Sequence, residues 1–113
     1  MKYEVRLQPP AVDDLEEAYL WAAKHAPDTA GRWLARFQDS LQTLANNPER
    51  CGFAPEHKKL KRALRQLLFG RRPNVFRAIF LIDGDVVRVV RIRRSSRRFL
   101  TKKELGESGG ELA

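Results

Sequence analysis

Residues 75–92 read Val-Phe-Arg-Ala-Ile-Phe-Leu-Ile-Asp-Gly-Asp-Val-Val-Arg-Val-Val-Arg-Ile. Two β-branched and aromatic runs joined by Asp83-Gly84 form a hairpin signal, because such side chains fit a pleated surface and Asp-Gly fits a tight turn. A type I′ turn is expected: Gly84 takes positive φ without steric cost, and Asp83 tolerates it better than most residues. With Asp83-Gly84 as a two-residue loop, Arg77 falls opposite Val90 and shares a face with Val75, Ile79, Leu81, Val86, Arg88 and Ile92. Phe76, Ala78, Phe80, Ile82, Val87 and Val89 make the cleaner core face. The cation inside the first run is the constraint, since a buried unpaired charge costs several kcal/mol. Asp83 and Asp85, the acids nearest in the hairpin, sit at its far end. The sequence therefore predicts an open groove on the Arg77 face, lined also by Arg65 or Gln66, in which the guanidinium meets phosphate or water.

A chain of 113 residues with 42% hydrophobic content has enough apolar surface for one core, so a single domain over residues 1–105 is expected. No apolar run approaches the roughly 18 residues of a bilayer span. The N-terminus alternates charge with apolar residues where a signal peptide would have an apolar core, which predicts a cytoplasmic protein. Cys51 is the one cysteine, so no intrachain disulfide can form, and without further Cys or His at ligand spacing no metal or cofactor is expected. Net charge is +8, and sixteen of the 22 lysines and arginines lie between Lys58 and Lys103. Only Asp83 and Asp85 oppose them there. Arginine dominates that stretch, and its planar fork suits phosphate, so nucleic acid or an acidic protein segment is the expected class of partner.

Along the chain, Tyr3, Val5 and Leu7 alternate with charged residues as in a half-buried strand. Pro9-Pro10 opens a helix carrying Ala11, Leu15, Ala18 and Ala22 on one face and running to about Lys24. Asp13, Asp14, Glu16 and Glu17 crowd its first turns, where the helix dipole favours negative charge. Asp28 is positioned to cap a second helix with Ala30, Trp33, Leu34, Phe37, Leu41 and Leu44 on its apolar stripe, ended by Asn46-Asn47-Pro48. Trp21 and Trp33 read as core residues at these spacings. Residues 49–59 read as a loop and 64–69 as a strand leading into the hairpin. Ser96 is placed to cap a short helix reaching Leu105, and residues 106–113 read as a disordered tail. The expected fold is α+β with element order β-α-α-β-β-β and a short C-terminal helix. A helical hairpin would pack on one face of an antiparallel-rich sheet, with Trp33, Phe37, Leu41, Phe76, Phe80 and Val87 in the shared core and the first strand at an edge.

Residues 3–100 resemble the RelE/ParE superfamily of toxins from type II toxin–antitoxin systems. The resemblance rests on Tyr3-x-Val-x-Leu-x-Pro followed by Ala11 and Asp14-Leu15, on the Trp33 to Leu44 helix leading into Asn-Pro, on Arg65-Gln-Leu-Leu-Phe-Gly, on Val75-Phe-Arg-Ala-Ile-Phe, and on the basic run closing the hairpin. It implies a small toxin neutralised by a cognate antitoxin. Two targets follow from it: ribosome-bound mRNA, cut by a RelE-like endonuclease, or DNA gyrase, bound by a ParE-like inhibitor. The mRNA endonuclease is the first expectation, and a non-enzymatic nucleic-acid-binding module is the reading outside the family.

For the nuclease the resemblance implies Arg77 as the cation on the scissile phosphate, Arg65 as a basic residue on the preceding strand, and Arg97 after the last strand. Lys58, Lys59, Lys61, Arg94 and Arg98 would bind the nucleic acid. Cleavage through a ribose 2′-hydroxyl also needs a base and an acid. Tyr3, Tyr19, His25 and His57 all precede the hairpin, so the C-terminal tyrosine or histidine of the active nucleases is missing, and Arg94 stands where many relatives have histidine.

Overall fold

The computed structural model describes residues 2–96 and 99–109, with side chains as far as Leu105 at the C-terminal end. The elements run β1 (Glu4–Leu7), α1 (Pro9–His25), α2 (Ala30–Gln42), single 3₁₀ turns at Thr43–Ala45 and Pro48–Arg50, α3 (Glu56–Lys59), β2 (Arg65–Arg71), β3 (Asn74–Asp83), β4 (Val86–Arg94) and α4 (Lys102–Gly109). The sheet order is β1-β4-β3-β2; β1 lies parallel to β4 at one edge and the other pairs are antiparallel. Both the α+β class and the edge position of the first strand agree with the sequence pattern.

Pro9 and Pro10 start α1, where a missing backbone N–H costs nothing. Its inward residues Ala11, Ala18 and Ala22 are small and buried, so the helix backbone can approach the sheet closely. Larger groups come from α2, whose Phe37 and Leu41 are buried with Phe76, Ala78, Phe80, Val87 and Val89 in one cluster. Trp33 is half-buried and meets Phe37, Phe69 and Phe76 edge-on at ring-centroid distances of 5.4–5.9 Å, while Phe37 stacks on Phe69 at 4.5 Å. Both tryptophans are core-facing, as their helical spacing implies. Thr29, one residue beyond the expected Asp28, is the residue that precedes α2.

The hairpin departs from the expected register in two ways. β3 ends at Asp83 and pairs it with Val86, so the loop is Gly84-Asp85. Gly84 has φ of 61°, and Asp85 does not share the positive-φ region; glycine at the first loop position alone fits a type II′ turn, not the I′ turn. The register then shifts between Ile79 and Phe80: Phe80 pairs with Val89 but Ile79 pairs with Arg91, which leaves Val90 as the extra residue of a bulge. Arg77 consequently lies opposite Arg93, not Val90. The same shift moves Ile92 into the cluster beneath the helices.

The second face of the sheet is not an open groove. Ile79 and Val90 are buried there with Ala54, Leu64, Leu100 and Leu105, and Leu60 and Leu81 pack against them. Residues 54–64 and 99–105 thus cross this face and cover it. The expected loop 49–59 contains a 3₁₀ turn and α3. In place of Ser96, Thr101 caps α4: its Oγ1 accepts the Glu104 N–H at 3.2 Å and the Glu104 carboxylate accepts the Thr101 N–H at 3.0 Å, a reciprocal capping box. The helix takes in residues 106–109 of the segment expected to form a tail, and residues 110–113 lie outside the described residues.

Candidate functional site

β3 delivers Arg77 to the covered face, where it is 4% exposed. One guanidinium nitrogen, Nη1, donates to Glu56 Oε1 at 3.0 Å and to Gln66 Oε1 at 3.0 Å, while Nη2 donates to Glu56 Oε2 at 2.9 Å. Glu56 is 1% exposed and also accepts the Leu100 N–H at 2.8 Å. Burial by itself would raise the Glu56 pKa, but the hydrogen bonds from Arg77 and Leu100, one from its own backbone and the Arg77 charge together hold the carboxyl below its ordinary 4.5. Cross-strand from Arg77, Arg93 donates to Glu104 Oε2 at 2.9 Å. Two adjacent arginines would repel; α3 and α4 each bring one carboxylate to neutralise one of them.

This corrects the expectation of a phosphate-facing Arg77. Its acidic partner comes from 21 positions earlier, in a segment without hydrophobic period. The signal available in the sequence is that Glu56 is the sole acid between Glu49 and Asp83.

The other residues expected at a site are distributed over both faces. Arg65 donates to the Cys51 carbonyl at 2.7 Å and the Glu49 carbonyl at 3.2 Å, and its guanidinium lies 4.3 Å from the centre of the Phe53 ring. Phe53 in turn stacks on His57 at 4.0 Å, so the arginine buttresses the segment that covers the second face. Lys58, Lys59 and Lys61 are exposed beside it. Arg94 is on the helical face, 4.8 Å over the Trp21 ring, and donates to Asn74 Oδ1 at 3.0 Å. Arg97 and Arg98 lie outside the described residues. Arg77, Arg65 and the three lysines therefore share a neighbourhood around α3, and Arg94 does not join them.

One contact that sequence reasoning assigned only to helix-end charge is a structural tie. Asp14 accepts from Arg91 Nε at 2.7 Å and Nη2 at 3.0 Å, and from the Ile92 N–H at 2.9 Å. The bulge frees that backbone N–H from the ladder, and the carboxylate satisfies it while fixing α1 to β4.

The largest concavity is a cleft of about 730 Å³ between the end of α1, the start of α2 and the β2–β3 turn. Trp21, Trp33 and Phe69 supply its aromatic wall, and Gly70 shapes its floor: φ is +104° and an added Cβ would lie 2.5 Å from the Asn74 carbonyl oxygen. Among the described residues no group of three or more His, Cys, Asp and Glu could hold a metal ion, and no helix is long and apolar enough to cross a membrane.

The chain's likenesses agree with this architecture. No curated protein matches it in sequence. A solved chain described as the chromosomal ParDE toxin–antitoxin system from P. aeruginosa superposes with a TM-score of 0.65 at 20% identity, over 82% of this chain and 96% of that one; at that identity the likeness concerns the fold. The family described as "ParE toxin of type II toxin-antitoxin system, parDE" matches residues 5–99. That span runs from β1 through the bulged hairpin into the strap that closes over Arg77 and Glu56, and on it this chain belongs to the ParE toxin family.

Proposed function

We propose that this toxin acts by binding DNA gyrase in the ParE manner and is held inactive by a cognate antitoxin, and that it does not cut mRNA as first expected. The observation that carries this reading is the Arg77–Glu56 pair. A nuclease needs a cation free to meet charge that develops in the transition state. Arg77 is instead committed to a buried carboxylate through both guanidinium nitrogens that face it. The family match to ParE supports the same choice. Membership of a toxin–antitoxin family implies the antitoxin partner.

Two assays on the induced protein test this: primer extension on abundant transcripts, and supercoiling by purified gyrase. Inhibited supercoiling or accumulated cleavage complexes, without codon-phased RNA cuts, is the expected result. Codon-phased cuts with unaffected supercoiling would overturn it. The paired replacement Arg77→Met with Glu56→Leu sharpens the comparison, because it removes the cation while leaving an apolar pair in its place. Toxicity should survive that change.

A further inference from the structure

The cleft beside the helical hairpin has a composition that specifies an occupant. Its lining includes Trp21, Trp33 and Phe69 together with His25, Arg36 and Arg71, and no aspartate or glutamate. Arg36 and Arg71 are exposed, and neither belongs to an ion pair among the described residues. Every buried arginine of the sheet, by contrast, has been given a carboxylate or amide: Arg77 with Glu56 and Arg93 with Glu104. The two cleft arginines thus stand out as positive charge with no internal partner, set at the border of an apolar wall.

We infer that this cleft is a docking site for a segment of a partner protein that presents an apolar side chain next to a carboxylate, and, resting on the proposed toxin function, that the antitoxin supplies it. Apolar contact with the tryptophan and phenylalanine edges would drive insertion, and the carboxylate would pair with Arg36 or Arg71. A stacked nucleobase fits less well. The Trp21 ring already carries the Arg94 guanidinium and lies 4.5 Å from the His25 ring, and Trp33 is engaged edge-on by three phenylalanines, so no aromatic pair is left to sandwich a base.

Both tryptophans of the chain line this cleft, which makes intrinsic fluorescence a site-specific reporter. Fifteen-residue peptides tiling the product of the adjacent open reading frame would be titrated into the full-length protein while tryptophan emission is followed. The peptides that shift it should combine a carboxylate with an apolar residue, and the exposed double variant Arg36→Glu/Arg71→Glu should weaken their binding at least tenfold with an unchanged melting curve. Equal affinity of wild type and double variant would overturn the inference, as would an emission shift produced by a 12-nucleotide single-stranded RNA and not by any peptide. Growth assays separate the two levels of failure. If the neighbouring gene product neutralises the double variant as fully as the wild type, only the docking site falls; if it neutralises neither, the toxin reading falls with it.

Discussion

Replacing Arg77 with alanine removes one half of a pair whose members are 4% and 1% exposed. Glu56 would keep the Leu100 N–H at 2.8 Å but lose both guanidinium bonds, leaving a carboxylate in an apolar cluster that includes Ile79, Val90, Leu100 and Leu105. Breaking a buried pair from one side costs about 3–5 kcal/mol. For a domain of this size that lowers Tm by roughly 12–20 °C and takes a large share of a total stability of about 5–15 kcal/mol. Arg77→Met/Glu56→Leu should regain most of the loss, because the buried charge is gone along with its partner. Thermal melts of the two single variants and the double one, followed by near-ultraviolet circular dichroism at pH 7, give the coupling directly. A single variant melting within about 3 °C of wild type would refute the reasoning, since it would mean that water reaches Glu56 freely. The expected loss is in folding, with toxicity falling only as far as the folded population does, the reverse of what an exposed phosphate-binding arginine would show.

Three further outcomes follow from individual contacts. The folded Glu56 carboxyl titrates below its unfolded value of 4.5, so its contribution to stability is complete above that value and disappears as pH falls through the folded pKa; Glu56→Gln should flatten the acid limb of a stability–pH profile measured by urea unfolding. Asp14→Asn should cost about 1–3 kcal/mol in the same assay, with faster hydrogen exchange at the Ile92 amide that Asp14 accepts. Gly70→Ala should destabilise by about 1–3 kcal/mol and alter tryptophan emission, because φ of +104° and the 2.5 Å approach of Asn74 leave no room for a methyl group.

The parts of the fold visible in the sequence are those set by local period. Ala11, Ala18 and Ala22, then Phe37 and Leu41, mark the inner stripes of both helices, and all five are buried. Phe76, Phe80 and Val87 alternate onto the same core. What periodicity cannot report is a residue that is skipped: the bulge at Val90 moved Arg77 opposite Arg93 and turned Ile92 inward. Nor does it report cover supplied from a distance. Residues 54–64 and 99–105 carry no regular pattern, yet Ala54, Leu64, Leu100 and Leu105 close the second face. The site expectation failed at the same place, since an arginine among valines and leucines looks open until Glu56 is brought to it across 21 positions. Family resemblance through the Arg65 and Val75 strand motifs reached further than geometry did, because it needed only the order of the pieces.

The parallel pairing of β1 with β4 joins residues 4–7 to residues 86–89. During synthesis the first strand is therefore made long before the strand it pairs with, and a connection of this length closes late and slowly. Until residue 89 leaves the ribosome, the α1–α2 hairpin has no sheet beneath it, and Trp33, Phe37 and Leu41 face solvent or whatever binds them first. Toxicity is thus a property of the finished chain. A message truncated before β4 yields only the helical pair, and an antitoxin already present in the cell meets the toxin as it completes its fold.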